Sequence, residues 1–426
     1  MASKSVDVVI RGIASGGAGV GDLPDGRVIF VPRTTPGDQA RVRIEKSKAR
    51  WAVGSLQRLL QASPDRVKPL CALYEACGGC QLQHLPYERQ LEAKARFISD
   101  SLQRIGGLGE VEHPEIVSSP RTEGYRNRVT YTLRRLPKGY VVAGFHALAK
   151  PAHVIDVAGQ CVLPSEGLSR VWLKVRAGWG EGARNLPDAG RLRLTLRESV
   201  GGVELVVEGG PVGWDPKPLR NAVPELVAVW HDPSEEGQAP SLVGGESGPG
   251  GGTAFGQVNP EAADLLRAYV MEVANGSPQA DDGSPGRAID AYCGVGEYGR
   301  ALASSGWITQ GIEVDPAAVR EANSGGPAAF TAEIGRVEER LGGLLPADLL
   351  ILNPPRSGLN AEVPPIILAQ APPRIVYVSC DPATLARDLG ALSDGYEVHS
   401  IRAFDLFPHT SHVETVAVLV RRRASE

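Results

Sequence analysis

The sequence predicts an α/β fold: a parallel sheet with helices on both faces, preceded by a small all-β module and a mixed segment. Three observations carry this. After residue 286, the short apolar runs "RAIDAYCG", "ITQGIEVD", "ADLLILNPP" and "RIVYVSC" alternate with helical segments such as "PAAVREAN" and "PATLARDLGALS", the pattern of strands buried on both faces. The first sixty residues instead alternate apolar and polar positions in "VDVVIRGI", "GRVIFVPRT" and "QARVRIEKS", a hairpin pattern punctuated by Gly and Pro. Between these parts, "YRNRVTYTLRRL", "LRLTLRES" and "VELVVEGG" read as further strands.

At 426 residues the chain is long enough for two to four units with their own cores. Its 22% charged and 42% hydrophobic residues are ordinary for a soluble protein. No run of about 18 apolar residues occurs, so no membrane span is expected. "MASKSVDVVIRG" has no apolar core of a secretory signal. Six cysteines in so long a chain do not make a disulfide framework. A reducing cytoplasm is the expected setting, where clustered cysteines read as metal or catalytic sites. Nothing in the sequence calls for an obligate protein partner.

The net charge of −4 does not announce a nucleic-acid binder, but residues 1–60 hold ten Lys and Arg against five Asp and Glu. Arg41, Arg43, Lys46, Lys48 and Arg50 surround Trp51, which suits a small barrel that follows a phosphate backbone. A solvated basic face explains the same residues equally well. Next comes "CALYEACGGCQLQHL", with Cys71, Cys77 and Cys80 in a C-x5-C-x2-C array. With Cys161 these make a candidate four-thiolate site, which zinc and a [4Fe–4S] cluster both accept. "YERQLEAKARFISDSLQRIGG" reads as a helix stopped by paired glycines, and "PSEEGQAPSLVGGESGPGGG" and "NGSPQADDGSPG" read as linkers.

In the C-terminal part four strand ends carry chemistry. "DAYCGVGEYG" follows the first strand, and its glycines allow a tight turn and close approach of backbone to a ligand. Glu313 ends the next strand about twenty residues on, where a carboxylate binds ribose hydroxyls. The missing third glycine disfavours a dinucleotide and favours S-adenosylmethionine. Asn353 in "LNPPRSGL" is expected to present its side chain into the same crevice as Glu313, while Cys293 reads as packing. Cys380 ends "RIVYVSC", and ligands in such sheets bind at the carboxyl ends of strands.

Taken together, the motifs resemble the RNA 5-methyluridine methyltransferase family, in particular its iron–sulfur-containing 23S rRNA (uracil-5-)-methyltransferase branch. "GGAGVGDLPDGRVIFVPRTTPGDQARVRI" is similar to the family's TRAM domain, and "SPDRVKPLCALYEACGGCQLQHLPYERQLEAK" to its cluster-binding segment. "YRNRVTYTL" and "FGQVNPEAADLL" are similar to its central domain and the entry to its catalytic one, and "DAYCGVGEYG", "NPPRSGL", "YVSCDPATLARDL" and "FDLFPHTSHVETVAVL" to its catalytic-domain signatures. The resemblance implies a Rossmann-like S-adenosylmethionine methyltransferase domain over residues 251–426. It also implies an N-terminal TRAM domain, an OB-like β-barrel that binds RNA, over 1–62, and a central mixed α+β domain over 63–250 carrying a [4Fe–4S] cluster on Cys71, Cys77, Cys80 and Cys161.

The resemblance further implies cofactor contacts from Gln257, Tyr292, Glu313 and Asn353, a nucleophile in Cys380 and a general base in Glu414. Asn353 stands where the family usually has Asp, Gly256 stands where a second aromatic is common, and Glu333 is a candidate adenine contact. The implied substrate is rRNA, with tRNA as the alternative. The chemistry asks for a thiolate in an electropositive, partly open site, with a helix starting at Asp381-Pro382 aiming its positive end at it. Arg356 is a candidate for a uracil or phosphate contact and equally for a folding role. Two rival classes are an amino-methyltransferase, suggested by "NPPR", and a non-catalytic RNA-binding iron–sulfur protein. The first would have no use for Cys380; the second would need neither Cys380 nor Glu414.

Overall fold

The computed structural model describes residues 5–233, 239–247, 256–275 and 284–422. They fall into two compact units, one of Met1–Gln90, Arg121–Pro260 and Pro408–Ser411, the other of Leu91–Pro120, Glu261–Phe407 and His412–Glu426.

The first unit opens with a closed five-stranded barrel of β1 (Ser5–Ile13), β2 (Gly19–Asp22), β3 (Val28–Val31), β4 (Gln39–Ser47) and β5 (Trp51–Gln61), in the order β1-β2-β3-β5-β4. The alternation seen in the sequence puts Val8, Ile10, Ile29, Val31 and Val42 inside. The helix α1 (Tyr87–Arg104) and strand β6 (Glu115–Val117) follow and belong mainly to the second unit. The first unit resumes as a seven-stranded sheet: β7 (Arg128–Arg135), β8 (Val141–His146), β9 (Val154–Asp156), β10 (Arg191–Ser199), β11 (Gly202–Glu208), β12 (Leu226–Asp232) and β13 (Ser241–Gly245). Helices α2 (Glu166–Gly178) and α3 (Lys217–Ala222) close its core, in which Tyr131 stacks on Trp172 at 3.9 Å. Strand β13 corrects part of the first expected linker: "SLVGG" pairs antiparallel with β12. Most of the rest of both Gly/Pro-rich stretches lies outside the described residues.

The second unit continues with α4 (Pro260–Asn275), β14 (Arg287–Ala291), α5 (Glu297–Ser304), β15 (Ile308–Glu313), α6 (Pro316–Ala322), β16 (Phe330–Ile334), α7 (Val337–Leu344), β17 (Leu349–Leu352), α8 (Val363–Gln370), β18 (Arg374–Ser379), α9 (Pro382–Leu392), β19 (Tyr396–Phe404) and β20 (Glu414–Arg421). Its sheet runs β16-β15-β14-β17-β18-β20-β19-β6. Leu349 and Ile351 enter one buried layer and Leu350 and Leu352 the other, so the all-apolar run needs no alternation. Strands β14 to β18 are parallel as expected, but β20 is antiparallel to both neighbours, β18 and β19, so the sheet is mixed. Among the described residues no helix is long and apolar enough to cross a membrane.

Candidate active site and four-cysteine cavity

Strand β14 lies between β15 and β17, and the chain leaves it first to one side and then to the other. Such a reversal opens a crevice at the carboxyl ends of the strands. Tyr292, Glu313, Asn353 and Cys380 all stand at this edge, each at or just past a strand end. Tyr292 adopts φ 63°, a left-handed conformation uncommon outside glycine. Burial pushes its phenol well above the ordinary range, with Glu338 and Asp388 adding to the effect. The Glu313 carboxylate accepts from Gly294 N at 3.0 Å, Val314 N at 2.7 Å and Asp315 N at 2.9 Å. Three of about four acceptor positions are thereby used, and one is left for a hydroxyl donor. Asn353 is half-buried and its backbone donates to Ala291 O, fastening the two loops. Cys293 packs in the core with Phe330, as its sequence context suggested. Glu333 is half-buried on β16, opposite Ile312. Gln257 belongs to the first unit.

Cys380 and Glu414 are brought together by register. Ser379 pairs with Thr415 in the antiparallel β18–β20 ladder, so one further step places Cys380 opposite Glu414. Glu414 is buried, and desolvation pushes its carboxyl to about 7, opposed by Arg356. The half-buried Cys380 thiol is also raised, first by burial and then by Glu414, with Arg356 acting the other way. Arg356 is thus the cation that faces both groups. The helix end adds less than expected: the Asp381 carboxylate accepts from Ala383 N at 2.9 Å and Thr384 N at 3.0 Å, and its charge raises the thiol further. A side chain that caps a helix takes up the donors that would otherwise face a neighbouring anion.

The sequence did not point to the clamp that holds Arg356's loop. Buried Asp388 accepts from Tyr377 Oη at 2.6 Å and Leu359 N at 2.8 Å, while Arg387 donates to Ser357 O and Leu359 O. Gly358, at φ 74°, leaves room for them: a Cβ there would lie 2.5 Å from both Arg387 Nη2 and Asp388 Oδ2. The only sequence trace is "ARD" in "SCDPATLARD".

In the first unit, Cys71, Cys77, Cys80 and Cys161 line one cavity of about 320 Å³ together with Tyr74, Gln83, Arg126, Arg128, Phe145 and Val157. Among the described residues no three potential ligands converge closely enough to grip a metal ion in the present side-chain positions. The donor set nevertheless fits a metal centre in its chemistry, because four thiols share one space with half-buried Arg126, whose buried Nε has no partner. Burial pushes the Cys80 thiol up to about 11 and Cys161 to about 12, and raises Cys77 as well; a coordinated metal would displace these protons.

The barrel's basic stretch is only partly free. Arg41 pairs with Asp7 at 2.7 Å, Arg43 with Glu45 at 2.9 Å and Arg27 with Asp25 at 2.7 Å. Among the described residues Lys46, Lys48 and Arg50, at the β4–β5 tip, form no ion pair; Lys46 lies 5.4 Å from the Trp51 ring.

Residues 343–423 match the family model for tRNA (uracil-5-)-methyltransferase and residues 3–56 the TRAM domain model. Curated relatives include an uncharacterized RNA methyltransferase of a Nostoc species, 33% identical over 97% of this chain and 96% of its own. Another, from Thermosynechococcus vestitus, is 34% identical over 97% and 98%. Among solved structures, the chain is similar to the Pyrococcus abyssi tRNA (uracil-54, C5)-methyltransferase in complex with S-adenosyl-L-homocysteine, with a TM-score of 0.72 and 28% identity over 97% of this chain and 99% of that one.

Proposed function

The chain belongs to the S-adenosylmethionine-dependent RNA (uracil-5-)-methyltransferase family, in the form that carries an N-terminal TRAM domain, and on that premise we propose that it forms 5-methyluridine through a covalent bond between Cys380 and uracil C6. The observation that carries this reading is the pairing of Cys380 with buried Glu414 at the strand-end crevice.

Uracil C5 is too weak a nucleophile to take a methyl group unaided. The Cys380 thiolate adds to C6, forming the S–C6 bond and pushing the C5–C6 π electrons into an enolate. S-Adenosylmethionine supplies an electrophilic methyl, which C5 takes in line as the sulfonium sulfur leaves with its bonding pair. Glu414 then removes the C5 proton, the C5–C6 double bond re-forms, and the thiolate departs. Glu414 suits this step because a carboxylate held near 7 is a stronger base than an ordinary one. Arg356 favours both anionic groups and in this reading also meets the developing enolate. Tyr292, Glu313 and Asn353 line the cofactor side of the crevice, and Gln257 is the fourth contact in this reading. The target uridine must be unstacked or flipped to reach a crevice at strand ends.

In this reading the barrel grips RNA through Lys46, Lys48 and Arg50. Cys71, Cys77, Cys80 and Cys161 hold a [4Fe–4S] cluster, which supplies architecture for the RNA site when bound. The resemblance of the cysteine segment to the iron–sulfur-containing 23S rRNA branch is what favours 23S rRNA as the substrate. A second reading, tRNA, is supported by the similarity to the P. abyssi enzyme, whose target is uracil-54 of tRNA. All six cysteines are free, which suits a reducing compartment such as the cytoplasm.

The test is RNA carrying 5-fluorouridine at the target. Fluorine cannot leave C5 as a proton does, so a methylated covalent complex should accumulate with wild type and not with Cys380→Ala. Full methylation by Cys380→Ala would overturn the mechanism. Mapping 5-methyluridine in rRNA and tRNA from cells lacking the gene decides the substrate.

A further inference from the structure

Two arginines of the first unit, buried Arg33 and half-buried Arg126, have no carboxylate partner among the described residues. Arg33 is 5% exposed and follows β3 at φ 68°, a left-handed conformation uncommon outside glycine. Its guanidinium donates to Cys80 O at 2.6 Å, Tyr74 O at 2.6 Å and Cys77 O at 2.5 Å, and stacks 3.6 Å from the Tyr74 ring centroid. Its Nε has no partner. The nearby carboxylate is taken: Asp38 receives Arg66 at 2.5 Å together with Thr35 N and Ser63 N. His84 is held neutral by burial, which lowers it to about 4. Arg126 lines the four-cysteine cavity, and its Nε too lacks a partner. Among the described residues no ion pair involves either arginine.

A buried cation without an anion is costly, and proteins keep one only where a negative group answers it. Four thiolates around an oxidised [4Fe–4S] core would carry a net charge of about −2, matching two guanidinium groups. The hydrogen bonds of Arg33 also fall on the carbonyls of two of the cysteines themselves.

Resting on the cluster reading above, we propose that Arg126 and Arg33 are the counter-cations of the tetrathiolate centre. Arg126 acts from inside the cavity, and Arg33 acts from the barrel, where it also shapes the backbone that carries Cys77 and Cys80. The barrel is then a working part of the metal site as well as an RNA-binding module. Its strained arginine is kept because it supplies charge and loop geometry at once.

The test uses full-length protein purified without oxygen. Iron and sulfide content, the reduction potential and the rate of iron loss to a chelator are measured for wild type, Arg126→Gln, Arg33→Gln and the lysine variants at both positions. Removing a positive charge disfavours the added electron, so both glutamine variants should shift the potential in the negative direction. Both should also release iron at least about 10-fold faster. Arg126→Lys should restore the potential. Arg33→Lys should restore it but still release iron faster, since one ammonium cannot replace a fork that binds three carbonyls. Should a glutamine variant not fold, its lysine partner decides through release rate and potential. A loaded wild type with unchanged potential and release in the arginine variants overturns this inference alone. A wild type without iron and sulfide overturns the cluster reading and the inference together.

Discussion

Cys380 and the four cysteines of the cavity are placed by different devices. Cys380 stands one residue past β18, and the hydrogen-bond ladder with β20 sets what it faces. Cys71, Cys77 and Cys80 lie in a segment with no helix or strand of its own, apart from an isolated bridge between Cys77 and Ala147. Their loop is shaped by polar latches, one from the barrel and two from its own segment: Arg33 on three carbonyls, Gln83 Oε1 accepting from Cys71 N at 3.0 Å, and Tyr74 Oη bonded to His84 at 2.6 Å. A sheet positions one reactive atom through backbone alone, whereas a multidentate cage in a loop needs buried polar latches. The first kind of site should be insensitive to remote substitutions, the second sensitive to them.

The sharpest way to break this comparison is to exchange the losses. Cys380→Ala should abolish methyl transfer, by about 10⁴-fold or more on the scale of nucleophile removal, while iron content stays at the wild-type value. Cys77→Ala should lose the iron while binding of S-adenosylhomocysteine, followed by calorimetry, is retained. Iron loss in Cys380→Ala would mean that the two sites are not independent.

Glu414→Gln should slow turnover by about 10²–10⁴-fold and accumulate a covalent complex with ordinary uridine, because addition and methyl transfer precede proton removal. A base held at about 7 is deprotonated only above that value, so the wild-type rate should rise with pH through about 7 and continue rising as the raised Cys380 thiol ionises. The Glu414→Gln variant should lose the lower limb and keep the upper one.

Gly358→Ala probes whether the active-site edge is as insensitive as its backbone ladder suggests. The new Cβ meets Arg387 and Asp388 at 2.5 Å in a left-handed conformation. It should cost about 1–3 kcal/mol in urea unfolding and lower kcat through the Arg356 loop. Unchanged kcat would show that the clamp serves stability alone.

Smaller effects concern charge. Asp290 is fully buried and desolvation raises its carboxyl to about 7 from 3.8. The folded state therefore holds a proton that the unfolded state gives up near 3.8. The resulting stability is complete below that value and is lost as pH rises through about 7. Asp290→Asn, which keeps an acceptor for Gly299 N, should melt a few degrees above wild type at pH 8 and close to it at pH 4. Changing Lys46, Lys48 and Arg50 together to Gln should reduce the salt slope of RNA binding by about 2–3. Changing Arg41 and Arg43, whose charges Asp7 and Glu45 already answer, should move it by less than about 1.

Much of the catalytic edge was legible because it is written in local terms. The strand-helix alternation, the glycines after β14, Glu313 at the end of β15 and Cys380 at the end of β18 follow from periodicity and turn chemistry, and the structure keeps them on one edge. The antiparallel insertion of β20 was not legible, since a strand's own pattern does not record its neighbours' direction. Nor was the strand inside "PSEEGQAPSLVGGESGPGGG", where paired glycines mask a short run that earns its place by pairing with β12.

The sequence by itself determined the residue types and their spacing: a thiol at a strand end, a carboxylate opening the last strand, and three cysteines too close together for chance. Local backbone preference suffices for these because strand, turn and helix start are short-range events. Only the tertiary structure decided that Glu414 lies across from Cys380 and that Arg33 reaches from the barrel to the carbonyls of Cys77 and Cys80. The Cys380–Glu414 and Arg33–cysteine contacts join residues 34 to 47 positions apart, and their worth depends on burial, which raises the strength of a charge interaction and the penalty of leaving it unanswered.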